Sequence, residues 1–227
     1  MSPSNRIAVT EPAAEDFEQL PFWYGLVGID QEDYSSEIDG FTSALQDGYL
    51  GAAVGKPGRD KFATLMDLDQ SRAYYARTSV RVLRLNGEPI GILIMGAHWR
   101  LWEMMKERGA HLAGATVDGF PRGEVDFMIA AVAMAKLHVL AVRPDQHGRG
   151  HGRRLIREAF KICKADQLSM LYGQFRSDRP HLRKFYTAAG FAVLDPGEPM
   201  PLYMATGTEG DLLTVGPSET TFWTTIP

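Results

Sequence analysis

The hydrophobic pattern is clearest between residues 79 and 95, where SVRVLRLNGEPIGILIM places two apolar runs on either side of Asn86 and Gly87. Asn-Gly accepts the positive φ angles of a two-residue hairpin turn, so this segment predicts a β-hairpin. Residues 6–10 alternate weakly and predict a short strand before it. Thr10 is followed by a proline and acidic residues, which predicts a helix that begins at Thr10.

The second half of the chain alternates apolar strands with helical patterns. KLHVLAVRP, residues 136–144, is rich in branched side chains and ends at a proline, so it predicts a strand. After a glycine-rich loop, apolar residues recur at the spacing of one helix face: Leu155, Ile156, Ala159, Ile162 and Cys163. Residues 168–175 predict another strand. A helix over 180–189 should end at Gly190, and residues 191–194 and 202–205 predict two short strands.

The order of these elements is strand, helix, hairpin, strand, helix, strand, helix and strand, which predicts the mixed α/β class. Residues 21–78 are typical of loops around short helices, and residues 98–109 of a short amphipathic helix. We therefore expect a single domain over residues 1–227, with insertions around 21–78 and 98–122 and a C-terminal extension over 206–227.

The composition disfavours several classes of protein function. The 227 residues carry a net charge of −4, which disfavours a nucleic-acid partner because phosphate binding requires a basic surface. The single cysteine, Cys163, has no partner for an intrachain disulfide, and we expect it to be buried. No apolar leader follows the N-terminus, and Lys136 and His138 interrupt the most apolar segment, residues 127–142. These features predict a cytoplasmic protein with no membrane partner and no metal.

The stretch VRPDQHGRGHGRRL, residues 142–155, alternates glycines with basic residues between a strand and a helix. A helix N-terminus presents unpaired N–H groups to a phosphate, and glycine lets the backbone approach a ligand closely. Further donors come from three arginines, Arg149, Arg153 and Arg154. A pyrophosphate is the ligand that this combination favours, and a flexible basic turn is the alternative. The glycine spacing differs from that of P-loop and Rossmann motifs.

KLHVLAVRPDQHGRGHGRRLI resembles the acetyl-CoA-binding segment of the GCN5-related N-acetyltransferase (GNAT) superfamily. The family's glycine pattern falls on His147 to Gly152, with His147 in place of the usual Gln or Arg; Gln146 is the alternative for that role. Downstream, FYTAAGFAVL is similar to the family's closing helix and strand. The resemblance implies a GNAT-type mixed, mostly antiparallel central sheet flanked by helices, with acetyl-CoA as cosubstrate. The implied cofactor-binding residues are Leu140, Val142, His147, Gly148, Arg149, Gly150, Gly152 and Arg153.

The resemblance also implies catalytic roles. Tyr186, four residues before Gly190, would be the acid that protonates the leaving thiolate, and the Leu140 N–H would face the thioester oxygen. Within the superfamily the segment looks closest to arylalkylamine (serotonin-type) N-acetyltransferases, whose strand carries two histidines. His138 matches the second, and Lys136 replaces the first. His138 is therefore the candidate base, and a charged Lys136 should lower its pKa.

Other interpretations of these residues stay open. Glu124 and Asp126 are rival bases, and both His138 and Tyr186 could instead be core residues. Aromatic residues that could line an acceptor site, or belong to the core, are Phe22, Trp23, Tyr24, Trp99 and Trp102. The tail TTFWTTIP could cover an edge strand or meet a second subunit in a homodimer.

These features together predict acetyl transfer to a primary amine of a small molecule, by direct attack in a ternary complex. A protein amine or an aminoacyl-tRNA is the alternative acceptor. A non-catalytic acyl-CoA sensor is the alternative from another functional class.

Overall fold

The structure is a computed structural model, and it describes residues 6–29, 31–97, 116–117, 120–121, 133–203, 209–210 and 212–226. Several predicted features lie outside these residues: the helix over 98–109, the rival bases Glu124 and Asp126, and the aromatic residues Trp99 and Trp102.

A seven-stranded sheet forms the centre of the protein, with the strand order β1-β2-β3-β6-β7-β11-β8. Its strands are β1 (Ile7–Thr10), β2 (Ser79–Leu85), β3 (Glu88–Gly96), β6 (Met134–Val142), β7 (Met170–Arg176), β8 (Ala192–Val193) and β11 (Glu219–Thr225). Two short antiparallel pairs lie outside it: β4 (Thr116–Val117) with β5 (Phe120–Pro121), and β9 (Met200–Pro201) with β10 (Leu212–Leu213). Within the large sheet β6 and β7 run parallel, and the other pairs are antiparallel.

Helices cover both faces of this sheet. They are α1 (Ala14–Phe17), α2 (Leu20–Val27), α3 (Ser35–Gln46), α4 (Gly58–Met66), α5 (Gln70–Ala76), α6 (His151–Ala165) and α7 (Pro180–Ala188). One face carries α6 and α7 over a core that includes Leu93, Leu155 and Phe222. The other face carries α1, α2 and α3 over a core that includes Phe41 and Ile92. The predicted mixed α/β fold with a mostly antiparallel sheet is confirmed.

The strongest local patterns of the sequence are present in the structure. Asn86 and Gly87 take φ angles of 53° and 94° and connect β2 to β3 as a tight hairpin. The predicted apolar face of α6 is buried along its whole length, and Cys163 is fully enclosed there. Gly190 follows the end of α7 with a φ of 94°, as a C′ glycine should.

Two predicted boundaries are wrong. The first helix begins at Ala14 and not at Thr10, because the buried Asp16 carboxylate accepts the Ala13 N–H at 2.7 Å and is itself held by Arg84. Thr10 remains in β1, where it pairs with Val82. Of the strand predicted over 202–205, residues 204 and 205 lie outside the described residues, and Leu202 and Tyr203 are not in a strand; the strand here is Met200–Pro201, which pairs with β10.

A β-bulge interrupts β6 at His138. Ile94 of β3 pairs with Val139, and the next residue, Met95, pairs with Leu137, so His138 is the extra residue of the bulge. Because of this extra residue, Leu137 and Val139 lie on opposite faces of the sheet, whereas in a regular strand they would share one face. Pairing of β6 with β7 also stops at Leu137, so the C-terminal halves of these two strands separate.

The tail of the chain forms a strand inside the sheet. β11 pairs with β7 along its whole length, from Glu219 opposite Arg176 to Thr225 opposite Met170. On its other side it pairs with β8. Phe222 crosses Gly173 so closely that a Cβ at Gly173 would overlap the ring. Of the two roles that the sequence left open for the tail, the structure shows strand pairing.

A buried ion cluster ties the first half of the chain to the second. Asp166, at the end of α6, is paired with Lys61 of α4 at 2.8 Å and with Arg77 after α5. It also accepts the Gly55 N–H at 2.7 Å, and all three charged side chains are almost fully enclosed. The cluster fixes α4 and α5 against the start of β6 through the contact from Arg77 to the Met134 carbonyl.

Candidate active site

A cavity of about 610 Å³ opens where β6 and β7 separate. Its walls come from the end of α2, the second half of β6, the loop before α6, the end of β7 and the start of α7. The two candidate catalytic residues, His138 and Tyr186, both line it. So do the predicted cofactor contacts Leu140, Val142, His147, Gly148, Gly150, Gly152 and Arg153. Residues from three separate parts of the sequence, 26–27, 137–153 and 174–186, therefore meet in one cleft.

The backbone of β6 faces this cavity at Leu140. The Arg143 N–H donates to the Ile90 carbonyl of β3 at 2.9 Å, so the peptide groups of Arg143 point toward β3. The direction of the peptide groups alternates along a strand, so those of Val142 and Leu140 point away from β3. The Val142 carbonyl accepts a bond from His147 Nε2 on that side at 2.8 Å. The Leu140 N–H thus points into the gap that β7 leaves open.

The glycine loop ends at the N-terminus of α6, on the wall of the cavity. Gly148 and Gly150 have φ angles of 75° and 79°, which side chains other than glycine rarely adopt. The Arg154 N–H donates to the Gly150 carbonyl at 3.1 Å and begins the helical bonding. The N–H groups of the first turn, from His151 to Arg153, precede that bond and have no acceptor within the helix. This geometry suits an anionic ligand.

Of the three arginines in the loop, the structure brings one to the cavity. Arg153 lines it, whereas Arg149 is exposed and is not among the lining residues. Arg154 turns away and donates to the Ile7 carbonyl of β1 at 3.2 Å. The ring of His147 is used to hold the loop against the end of β6, through its bond to the Val142 carbonyl.

Sequence reasoning missed several residues of the cavity wall. Arg179 donates to the Leu26 carbonyl at 2.8 Å and so joins the start of α7 to the end of α2. His181, Leu182 and Phe185 follow it along α7. A basic residue directly before a helix-starting proline is the signal that could have identified Arg179. Gln146, the alternative to His147, also lines the cavity, and its buried Oε1 has no hydrogen-bond partner among the described residues.

Tyr186 lies at the inner end of the cavity. Its ring stacks on Phe222, with centroids 3.6 Å apart, and lies nearly parallel to Phe175 at 5.8 Å. Burial raises the pKa of its phenol well above the ordinary value, so the hydroxyl keeps its proton at neutral pH. Tyr186 therefore packs as a core aromatic that also lines the cavity, and its catalytic role stays a prediction.

His138 lies at the bulge on the opposite wall. Its Nε2 is 2.9 Å from the Ala97 carbonyl, which can only accept, so Nε2 carries the proton of the neutral ring. Burial, the largest cause, and the charge of Lys136 lower its pKa to about 3 from the ordinary 6.5, while the bond to Ala97 acts in the opposite direction. The expected influence of Lys136 is present, and Lys136 Nζ also donates to Gln174 at 3.0 Å.

The aromatic residues of α2 do not line the cavity. Trp23 and Tyr24 are buried in the core between α2, α3 and the sheet, and Phe22 is 47% exposed on the outer surface. Leu26 and Val27 are the α2 residues that reach the cavity wall. Trp23 and Tyr24 are thus core residues, as the alternative interpretation held.

The described residues contain neither a membrane-spanning helix nor a metal-binding group of side chains. Within the described ranges, no helix is both long and apolar enough to span a bilayer. In the same part of the chain, no group of three or more His, Cys, Asp and Glu side chains is arranged to hold a metal ion.

Comparisons with known proteins agree with this geometry. The acetyltransferase (GNAT) family matches the chain over residues 56–191, and no curated protein matches. Ard1 from Thermoplasma volcanium is a similar solved structure, with 12% identity, coverage of 97% of this chain and 98% of that one, and a TM-score of 0.53. The yncA protein from Salmonella typhimurium, solved with its cofactor acetyl-CoA, has 14% identity, coverage of 98% and 95%, and a TM-score of 0.51. A GNAT-family acetyltransferase from Staphylococcus aureus Mu50 has 10% identity, coverage of 98% and 100%, and a TM-score of 0.52.

Proposed function

The chain belongs to the acetyltransferase (GNAT) family, and from that premise we propose that it transfers an acetyl group from acetyl-CoA to a primary amine of a small molecule. The observation that carries the proposal is the single cavity between β6 and β7. It joins an anion-binding helix terminus, an unpaired strand edge and a protonated phenol. The amine would attack directly while both substrates are bound.

The residues of the cavity suit acetyl-CoA, which when bound supplies an activated acetyl thioester. The N–H groups at the start of α6, with Gly148, Gly150, Gly152 and Arg153, would hold its phosphates. Leu140 and Val142 would pair their backbone with its extended amide arm, as one strand edge receives another. The Leu140 N–H would donate to the thioester oxygen. Arg179 extends this set beyond the sequence prediction, and Gln146, the predicted alternative to His147, lines the same cavity.

Tyr186 is the proposed general acid. A raised pKa keeps its hydroxyl protonated, and the stacked rings of Phe222 and Phe175 fix the direction in which that hydroxyl points. A leaving thiolate near the phenol would take up its proton.

His138 is the proposed base, acting on the amine through water. Its low pKa keeps the ring neutral at physiological pH and at the same time makes it a weak proton acceptor. With Nε2 committed to Ala97, Nδ1 is the accepting atom. The resemblance to arylalkylamine N-acetyltransferases depends on this residue, and Glu124 and Asp126 remain the rival bases.

A panel of acceptors tests the proposal. Acetyl-CoA is offered with small primary amines, with peptides bearing a free N-terminus or a lysine, and with aminoacyl-tRNA, and thiol release is followed. We expect steady turnover with one or more small amines. Turnover confined to peptides or to aminoacyl-tRNA would contradict the acceptor class. Tight CoA binding without turnover on any acceptor would instead support an acyl-CoA sensor.

Two further parts of the proposal concern the surroundings of the protein. A cytoplasmic location is supported by the single cysteine, which is enclosed in the core and whose pKa burial raises to about 12. A homodimer stays a prediction, to be tested by the mass of the protein in solution. β11 is internal to the sheet, so a dimer would use another surface.

A further inference from the structure

A carboxylate surrounded by tyrosines lies on the α2–α3 face of the sheet. Glu37, on α3, is half-buried and accepts a bond of 2.6 Å from the Tyr24 hydroxyl on one oxygen. The Gln31 amide donates to its other oxygen at 3.4 Å. Among the described residues no lysine, arginine or histidine forms an ion pair with it. Its donors are neutral, so its negative charge is not balanced within this part of the chain.

Two tyrosines of α5 complete the surroundings of this carboxylate. Burial first, and then the charge of Glu37, raise the pKa values of Tyr74 and Tyr75, the latter to about 12. The rings of these two residues meet edge to face at 5.3 Å. The Tyr75 hydroxyl lies against Gly40, one helical turn after Glu37, where a Cβ would overlap it. A glycine inside a helix costs about 1 kcal/mol relative to alanine, and here it permits this close approach.

This cluster adjoins the candidate active site. The ring of Tyr74 meets the imidazole of His138 edge to face, with 6.2 Å between their centroids. α2, which carries Tyr24, also supplies Leu26 and Val27 to the wall of the cavity. Tyr74 thus contacts His138 and lies close enough to Glu37 for that charge to raise its pKa.

The chemistry of the cluster favours a cation. A half-buried carboxylate has lost part of its hydration, and a positive ligand would compensate for that loss. Aromatic faces beside it attract the same charge. The reacting amine must be neutral to attack, so a carboxylate that held it would oppose the reaction by raising its pKa. The charge at Glu37 therefore suits a second positive group, away from the reacting nitrogen.

We propose that Glu37, whose carboxylate accepts a bond from the buried Tyr24, forms with Tyr74 a subsite for a second positive charge on the acceptor. The acceptor class is then diamines and amines with a distal cationic group. On the other side of His138, Lys136 would repel such a group and direct it toward α3. This inference rests on the proposed function, since it names the substrate class of the same site.

The experiment compares cadaverine, a five-carbon diamine, with pentylamine, which has the same chain and one amine. We expect the native protein to prefer cadaverine by about tenfold or more in kcat/KM, as for a charged hydrogen bond, mainly through KM. Glu37→Gln should abolish the preference and leave pentylamine turnover unchanged, which also reports an intact fold. Tyr24→Phe, which keeps the ring and removes the bond to Glu37, should reduce the preference partly.

Asp39→Asn is the matched control, because Asp39 is exposed on the same helix and the charge change is the same. It should leave the preference as it is. A preference for cadaverine that survives in Glu37→Gln would overturn the inference, and so would equal use of both amines by the native protein.

Calorimetric titration of cadaverine into the protein with bound CoA separates this inference from the proposed function. If no amine is acetylated but cadaverine binds and Glu37→Gln loses that binding, the proposed function fails and the subsite stands. If amines are acetylated without any dependence on Glu37, the function stands and the subsite fails. Neither turnover nor binding would overturn both.

Discussion

The ring of Tyr186 lies flat against the ring of Phe222, with centroids 3.6 Å apart and planes 13° from parallel. Tyr186 belongs to α7 and Phe222 to β11, so two elements far apart in the sequence fix one phenol. The stack restricts the ring of a residue that lines the cavity. A proton donor in the proposed reaction is thus oriented by core packing.

Replacing Tyr186 with Phe should keep this stack and remove the hydroxyl. We expect kcat to fall by about ten to a hundredfold, the lower part of the range for general acid catalysis, with little change in the KM for acetyl-CoA. Steady-state kinetics under conditions where chemistry limits turnover will measure this. Tyr172→Phe is the control, because Tyr172 is also fully buried but does not line the cavity. Equal effects of the two variants would assign Tyr186 a packing role alone.

Gly150→Val should severely weaken CoA binding. The φ of 79° at Gly150 is unfavourable for a β-branched residue, so the loop would have to change shape and turn its N–H groups away from the phosphates. Calorimetry with CoA measures the loss. Gly87→Val, at a φ of 94° in the β2–β3 turn, introduces comparable strain far from the cavity and should retain CoA binding. Near-native affinity of Gly150→Val would refute the loop's assignment.

The stability of the protein should depend on His138 under acidic conditions. Its folded pKa of about 3 lies below the ordinary value of 6.5, so between these values the unfolded chain binds a proton that the folded chain does not. Stability should therefore fall as the pH decreases from about 6.5 toward 3, by up to about 1.4 kcal/mol per pH unit from this group. Denaturant unfolding at several pH values should show a shallower decline in His138→Asn. Identical slopes would mean that His138 already titrates normally in the folded protein.

The pH profile of kcat/KM tests His138 as the base. Its low pKa predicts that any acidic limb from this group lies well below 6.5, and that His138→Ala removes it. Lys136→Ala should move the pKa of His138 upward, although burial, the larger cause, will keep it below the ordinary value. Two amines of different pKa must be compared, since the ionisation of the acceptor adds its own limb. An acidic limb that persists in His138→Ala would direct attention to Glu124 or Asp126.

Asp166→Asn should be strongly destabilising. It leaves Lys61 and Arg77 buried together without their shared counter-charge, a change that typically costs about 3–5 kcal/mol. Burial already lowers the pKa of Lys61, and loss of Asp166 should lower it further. Urea unfolding measures the cost. Glu158→Gln, which removes a surface pair with Lys161 from the same helix, should change little. Similar midpoints for the two variants would show that the buried cluster contributes no more than a surface pair.

Local patterns predicted the elements that carry their own signals. Asn86 and Gly87 form their turn because both residues accept positive φ angles. The apolar face of α6 is buried because its hydrophobic residues recur with the period of a helix. Neither pattern depends on distant residues. The glycine loop and Tyr186 were found through spaced motifs that reflect such local constraints. Each of these features could be identified before the fold was known.

Features that depend on pairing could not be predicted in the same way. The bulge at His138 arises because β6 must pair with β3 on one side and leave β7 on the other, and nothing in KLHVLAV marks it. Asp16 moves the first helix start because Arg84, far along the chain, holds its carboxylate. The proposed roles of Arg179 and Glu37 depend on contacts with α2, and the sequence alone does not show these contacts.

The place of β11 in the sheet has a consequence for how the protein is made. A ribosome delivers β6, α6, β7 and α7 first, and the strand that pairs with β7 comes only after β8, β9 and β10. Until then the nascent chain presents β7 as an unpaired edge, and the ring of Tyr186 lacks its partner. Such an edge can recruit a strand from another copy, so rapid synthesis would favour exchange of β11 between chains.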